Sequence, residues 1–125
     1  MQTEEPVYSK NGDNVYNLTV CEKTKYAVRY GGYQISSGGN KWCGDTFDSF
    51  FDGKGKFFAV LSDGMGTGKK AAADSVMCCS LAVLLLKAGY PVEGILKMIN
   101  SAMLVRSGEE SLATLDIAVM NLYNG

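Results

Sequence analysis

The chain has 125 residues, of which 46% are hydrophobic and 20% charged, and its formal net charge is −1. This composition is typical of one globular domain with a hydrophobic core, and the balanced charge argues against nucleic acid as the main partner, because phosphate binding requires clustered Lys and Arg. The sequence contains no histidine, so chemistry must rest on carboxylates, amines, hydroxyls, thiols or backbone groups.

The N-terminal part of the sequence predicts a lead-in followed by strands. Residues 1–24 are polar and rich in turn-forming residues. Residues 25–38 are rich in Tyr, Val and Ile around a Gly-Gly break, which predicts a bent or bulged strand. The arms 46–51 and 56–63 flank the turn Asp52-Gly53-Lys54-Gly55, and this pattern predicts a β-hairpin. The second arm is apolar, which predicts a central strand covered on both faces.

The C-terminal part predicts two helices and a final strand. A 3.6-residue apolar period from about Thr67 to Lys87 predicts a helix whose buried stripe is Ala72, Ala73, Val76, Met77, Leu81, Leu84, Leu85 and Ala88. After Gly89 and Pro91, a second helix from Val92 to about Val105 is expected to bury Ile95, Leu96, Ile99 and Met103. A strand follows over residues 113–123. The order β-β-β-α-α-β predicts an α+β fold, with an antiparallel sheet and a packed pair of helices.

The cysteines and the hydropathy indicate a cellular compartment. None of the four, Cys21, Cys43, Cys78 and Cys79, forms a CxxC pair, and the last two fall within the first helix pattern. Buried free thiols act as small hydrophobes and suit a reducing compartment. No signal peptide or bilayer-spanning stretch is present. We expect a cytoplasmic location without membrane contact, and any membrane anchor of a parent protein would lie outside this chain.

A glycine-rich loop, Gly64-Met65-Gly66-Thr67-Gly68, joins the predicted central strand to the first helix. One interpretation is a P-loop that cradles the phosphates of a nucleotide with its backbone N–H groups. That motif needs a glycine where Asp63 stands and a hydroxyl where Lys70 stands. Two of its four fixed positions therefore fail, and a P-loop nucleotide-binding domain is kept as an alternative from another class.

A second interpretation makes Asp63 a metal ligand at the end of a buried strand. Its strand would hold the carboxylate in place, and the glycines after it let backbone carbonyls approach a cation without interference from a Cβ. Asp45 also follows a glycine, and a hairpin of this length returns it beside Asp63. Two carboxylates and a carbonyl form a partial site for a hard cation such as Mg²⁺ or Mn²⁺. Alternatively, Asp63 caps the following helix and Asp45 is an ordinary loop acid.

Three segments together resemble a known family. They are Gly44-Asp45, the run Ser62-Asp63-Gly64-Met65-Gly66, and "MINSAMLVRSGEESLATLDIAVMNL" from Met98 to Leu122. This set is similar to the metal-dependent serine/threonine phosphatases of the PPM, or type 2C, family, and among them to the sporulation-type phosphatase domains. The resemblance runs from about Tyr26 to the end of the chain. It implies that residues 25–125 are the N-terminal half of such a domain, one half of an αββα sandwich.

The resemblance also implies a mechanism. It gives Asp63 as the ligand that bridges two Mn²⁺ or Mg²⁺ ions, Gly64 as the donor of a backbone carbonyl, and Asp45 as the ligand of a water of the centre. This water attacks the phosphorus of a phosphoserine or phosphothreonine, so that Asp45 and Asp63 are the catalytic residues. The implied substrate is a phosphorylated anti-sigma-factor antagonist, and the helix pair is a possible homodimer surface.

Other members of the family draw further metal aspartates from later strands, which this chain lacks. We therefore expect the chain by itself to be inactive as a phosphatase. The alternative is a non-catalytic regulatory or interaction module that keeps the phosphatase fold.

Five further residues carry predictions of their own. Lys69 and Lys70 are expected to be solvated near the start of the helix, with phosphate contact as the alternative. Trp42 is expected to pack rather than to border a cleft, and Asp74 to lie at the surface. Asp116 interrupts the last apolar strand, and it faces solvent by alternation or bonds the neighbouring loop.

Overall fold

The computed structural model of the chain describes residues 2–3, 20–36, 41–106 and 112–125. The elements are β1 (Gln2–Thr3), β2 (Val20–Cys21), β3 (Asp45–Phe51), β4 (Lys56–Gly64), α1 (Gly68–Lys87), α2 (Val92–Arg106) and β5 (Ala113–Asn121). β1 and β2 form an antiparallel pair, and β3, β4 and β5 form an antiparallel sheet with β4 in the middle. The predicted α+β class, an antiparallel sheet with two helices, is confirmed. Most of the predicted lead-in lies outside the described residues.

The β3–β4 hairpin has the register that its turn imposes. The Oδ1 atom of Asp52 accepts hydrogen bonds from the backbone N–H groups of Lys54, at 2.7 Å, and Lys56, at 2.9 Å. Gly53 has φ +70°, a value that glycine adopts without steric cost. The turn therefore fixes the pairing along the whole hairpin, in which Asp45 lies opposite Asp63 at the far end.

The two faces of β4 are covered to different extents. Phe58, Val60 and Ser62 point toward the helices and are buried. On the opposite face, which we call the open face, Phe57 is buried but Leu61 is 46% exposed. The prediction that β4 is central is confirmed, and the prediction that both its faces are covered is wrong for the Leu61 half of the strand.

The predicted strand over residues 25–38 does not form; residues 25–36 have no regular secondary structure, and 37–38 lie outside the described residues. The backbone N–H of Tyr26 donates to Leu122 O at 3.0 Å, and the ring centroid of Tyr30 lies 5.1 Å from that of Phe57. Farther along, Gly32 lies against the ring of Phe47. The segment thus passes from the end of β5 across β4 to β3. A segment that crosses strands cannot form a ladder with them.

α1 buries a different face from the one predicted. Small side chains dominate the buried face, which consists of Ala71, Ala72, Asp74, Ser75, Cys78, Cys79, Ala82, Val83 and Leu86. Val76 and Leu84, expected inside, are 50% and 65% exposed, and Asp74, expected at the surface, is 3% exposed. The cause is a close approach, because a Cβ at Gly64 would lie 2.0 Å from Ala71 O. At that separation small residues fit between helix and sheet and large ones do not.

α2 completes the core as its sequence predicts, apart from one residue. Ile95, Ile99 and Met103 are buried, whereas Leu96 is 44% exposed. They pack with Phe58 and Val60 of β4 and with the buried stripe of α1. Burial also raises the pKa of the Cys78 and Cys79 thiols, which keeps them neutral, as expected of small core residues. Within the described ranges, neither helix combines the length and hydropathy needed to cross a membrane.

Candidate metal site

Asp45 and Asp63 meet at one corner of the sheet. They are direct partners in the β3–β4 pairing, the first at the start of β3 and the second near the end of β4. Both carboxylates are exposed to solvent. They line a pocket of about 140 Å³ whose other lining residues are Ile35, Trp42, Cys43, Gly44, Gly66, Thr67 and Gly68. The juxtaposition predicted from the hairpin length is confirmed, whereas the metal role of the two residues remains a prediction.

The backbone around the pair is held by two glycines. The N–H of Gly64 donates to Gly44 O at 3.0 Å. A Cβ placed on Gly44 would lie 3.5 Å from Gly64 O and 3.9 Å from the Oδ1 of Asp63. The carbonyl oxygen of Gly64 and the carboxylate of Asp63 therefore border the same small volume beside Gly44.

The carboxyl group of Asp45 influences the ionisation of Asp63. A side-chain hydrogen bond with Asp45, together with the repulsion of its charge, raises the pKa of Asp63 above its usual range. The Cys43 thiol lies 3.9 Å from the Oδ2 of Asp45, and the side-chain amide of Gln34 donates to Asp45 O. Two acidic groups are thus kept side by side, and a cation between them stabilises the form in which both are ionised.

The helix-cap alternative for Asp63 is wrong. Asp63 lies within β4, and the N-cap position of α1 is Thr67, whose side chain makes no capping hydrogen bond. The P-loop alternative also finds no support in the backbone. Two of the N–H groups that would point at a phosphate are in use, since Gly64 N donates to Gly44 O and Met65 N donates to Leu112 O at 2.8 Å. Asp63 also presents negative charge to the pocket.

The donor atoms fit one part of a magnesium or manganese site. Carboxylate and carbonyl oxygens are the ligands that these cations prefer, and the corner offers two carboxylates and the Gly64 carbonyl. Across the described ranges, no three or more Asp, Glu, Cys or His side chains come together in a way that could hold an ion. Asp116 lies one strand away on the open face, exposed and opposite Leu61.

Trp42 and Lys69 lie at the rim of the pocket, where the sequence analysis did not place them. Trp42 lines the pocket and is 50% exposed, which corrects the prediction that it packs in the interior. The Nζ of Lys69 lies 5.8 Å from the centroid of the Trp42 ring, within the range of a cation–π contact. Cys43 also lines the pocket, and the sequence analysis gave it no role there, although it lies only two residues before Asp45.

Comparison with known proteins identifies the family. The family model described as stage II sporulation protein E (SpoIIE) matches residues 53–125, which is more than half of the chain. The chain belongs to the SpoIIE family. The resemblance to the PPM, or type 2C, phosphatases is thereby confirmed, because a solved SpoIIE structure contains a PP2C phosphatase domain.

Two curated SpoIIE proteins align with most of the chain. Stage II sporulation protein E of Bacillus subtilis (strain 168) is 32% identical over 112 residues, which is 89% of this chain and 14% of that protein. The protein of the same name from Priestia megaterium is 32% identical over 104 residues, or 83% of this chain and 18% of that protein. The chain thus spans less than a fifth of the length of these SpoIIE relatives.

Two solved structures share the fold. The PP2C phosphatase domain of the cell fate determinant SpoIIE from Bacillus subtilis, with a fragment of its regulatory domain, superposes with a TM-score of 0.72 at 30% identity, over 82% of this chain and 30% of that one. RsbX, solved in complex with magnesium, gives a TM-score of 0.59 at 29% identity, over 72% of this chain and 42% of that one. The SpoIIE-family chain therefore has the arrangement of part of a PP2C domain.

Proposed function

We propose that the chain supplies part of the active site of a divalent-metal-dependent protein serine/threonine phosphatase. The observation that supports this proposal is the pairing of Asp45 with Asp63 beside the Gly64 carbonyl, on a PP2C-type fold. The magnesium in RsbX supports a divalent cation as the cofactor. We assign Asp63 and Gly64 O as metal ligands and Asp45 as the ligand of a water of the centre, with Mg²⁺ or Mn²⁺ as the ions.

Bound cations would supply a nucleophilic water at neutral pH and neutralise the phosphate oxygens. The chain itself holds the ligands in place. Asp63 belongs to β4, the central strand of the sheet, which is paired with a strand on each side. The contacts of Cys43 and Gln34 hold Asp45 in place. Lys69 places a positive charge at the rim, where it attracts the phosphate dianion of an approaching substrate.

The proposed substrate is a phosphorylated anti-sigma-factor antagonist in the cytoplasm. Its support is the family, whose members are sporulation proteins and include a cell fate determinant. A homodimer formed through the helices is a further part of the proposal. The exposed apolar side chains of both helices, among them Val76, Leu84 and Leu104, are consistent with such a contact.

The chain alone is proposed to be inactive. Octahedral cations take six ligands, and the corner offers two carboxylates and one carbonyl. A second candidate function is a regulatory module with the phosphatase fold and no catalysis. The absence of a third acidic ligand among the described residues supports this candidate equally, so metal binding has to be measured first.

Titration with Mn²⁺, followed through Trp42 fluorescence, tests the metal site. Trp42 is the only tryptophan in the sequence and lines the pocket, so the paramagnetic ion should quench its emission. We expect weak binding, reduced by about tenfold or more in Asp63→Asn. Asp116→Asn removes the same charge from the open face outside the pocket, and its affinity should remain unchanged. The metal assignment would be refuted if both variants lost the same affinity for Mn²⁺, or if Asp63→Asn left the quenching of Trp42 unchanged.

A parallel assay with a phosphoprotein and Mn²⁺ tests the proposed inactivity. We expect no turnover above background from the chain alone. Clear turnover that Asp63→Asn removes would show that the chain is a complete enzyme.

A further inference from the structure

A cleft opens at the end of the hairpin opposite the Asp45–Asp63 corner. Its volume is about 500 Å³, and it lies between the β3–β4 turn, the end of α1 and the connection to α2. Its charged lining residues are Asp52, Lys54, Lys56 and Lys87, and its other lining residues are Phe58, Leu86, Gly89, Tyr90, Pro91, Val92 and Val119. We call this the basic cleft.

The basic cleft is positive although the chain as a whole is not. Three lysines line it in a protein whose formal net charge is −1. Asp52 is the acid among the described lining residues, and the backbone N–H groups of Lys54 and Lys56 hold its Oδ1 at the turn. Lys87 Nζ lies 5.0 Å from the centroid of the Phe50 ring, which restrains it at the edge of the cleft. With three ammonium groups against one carboxylate, the lining of the cleft presents a net positive charge to a ligand.

The floor of the cleft is apolar. Phe58 and Leu86 are buried beneath it, and Val119 of β5 is 46% exposed. Val92 and Pro91, at the start of α2, form one wall. A small inorganic anion would leave this apolar surface in contact with water, whereas a peptide with acidic and apolar side chains would cover it and pair with the lysines.

The cleft is independent of the proposed metal site. Lys56 and Asp63 lie at opposite ends of β4, and seven residues of extended strand correspond to about 23 Å. This separation is more than twice the screening length of about 8–10 Å at physiological salt. The charge of the acidic corner therefore does not cancel that of the basic cleft, and a ligand in one does not touch the other.

We propose that the basic cleft docks an acidic, partly apolar segment of a partner protein. Its carboxylates face Lys54, Lys56 and Lys87, and an apolar side chain covers Val119. Three lysines on a chain of net negative charge are too few for sequence-independent binding to nucleic acid, which depends on many phosphate contacts. The positive charge and the apolar floor together favour an acidic, partly apolar peptide as the ligand of the basic cleft.

The test uses a short synthetic peptide of glutamate and leucine with the full chain labelled with ¹⁵N. Addition of the peptide should shift the amide resonances of the cleft residues and leave those around Asp63 unchanged. The double variant Lys54→Glu/Lys56→Glu should weaken binding by about tenfold or more, and added salt should weaken binding to the unaltered chain. Lys97→Glu, which reverses an exposed charge of α2 outside the cleft, should stay within about twofold of the unaltered chain.

Three results would overturn the proposal. They are equal weakening by Lys97→Glu, an absence of shifts at the cleft, and preferential binding of phosphatidylserine vesicles or inorganic phosphate through the same lysines. If the double variant does not fold by circular dichroism, Lys87→Gln replaces it and should weaken peptide binding without altering the Asp63 corner. Because the readout does not use Mn²⁺ or phosphatase activity, failure of the metal proposal leaves this test unaffected.

Discussion

The two ends of the β3–β4 hairpin are built in different ways. At the turn end, side chains support one another: Asp52 accepts two backbone N–H groups, and the rings of Phe50 and Phe58 stack with centroids 5.0 Å apart. At the corner end, Asp45 and Asp63 place like charges side by side, and the backbone of Gly64 touches that of α1. The turn end follows the ordinary rules of stability, whereas the corner end departs from them where a cation is proposed to bind.

The largest expected effect comes from Gly64→Ala at the corner end. The added Cβ would lie 2.0 Å from Ala71 O, a backbone atom, so α1 has to move away from the sheet. We expect the free energy of unfolding to fall by about 3 kcal/mol or more, measured by urea denaturation.

Gly53→Ala at the turn end is the matched control for this substitution. Nothing lies within 4 Å of a Cβ at Gly53, whose φ is +70°, so the cost is that of the backbone conformation, about 1 kcal/mol. If both variants lose the same stability, the close approach of α1 is not what makes the corner end different.

An intermediate effect is expected from Asp52→Ala. The change leaves the N–H groups of Lys54 and Lys56 without their carboxylate acceptor, and water replaces it because the turn lies at the surface. The free energy of unfolding should fall by about 1–2 kcal/mol in thermal or urea denaturation. Asp48→Ala in the adjoining strand β3 is a useful comparison, since its Oδ1 accepts the N–H of the next residue, Ser49. An equal loss from both would mean that the turn does not set the register.

The smallest effect is a pH dependence at the corner end. The pKa of Asp63 is raised in the fold by the hydrogen bond and the charge of Asp45, so this carboxyl favours the fold below about pH 3.9, its unfolded value. That contribution is lost as the pH rises through the raised pKa. In EDTA-treated protein, Asp45→Asn should abolish this loss of stability with rising pH. Urea midpoints measured across the acid range check this.

Asp116→Asn on the same face of the sheet is the control for the pH experiment. It removes a carboxylate that has no acidic partner opposite it, since its neighbour on β4 is Leu61. A pH profile altered in the same way by both substitutions would show that the pairing of Asp45 with Asp63 has no special effect.

The hairpin and its acidic corner were predictable because their determinants are local. The turn Asp52-Gly53-Lys54-Gly55 fixes the register, and the register brings Asp45 to Asp63. The fold class followed from the order of the elements. The metal role of the corner came from the resemblance to a family and remains a prediction.

The buried face of α1 was not predictable from hydropathy. Periodicity alone places Val76 and Leu84 inside, but the separation between α1 and β4 is set by the close approach of Gly64 to Ala71, which hydropathy does not register. The path of residues 25–36 also escaped prediction. Its β-forming composition favours a strand, yet its attachments to Leu122 at one end and Asp45 at the other direct it across the sheet.

The loop after Asp63 is attached to two remote parts of the chain. Gly64 N bonds to Gly44 O before β3, and Met65 N bonds to Leu112 O before β5. Each bond closes a long stretch of chain, and the second encloses both helices. Contacts of this kind form only after the entropy of loop closure has been offset by other interactions. We therefore expect the bond from Met65 N to Leu112 O to be among the last contacts to form, after the hairpin and the two helices.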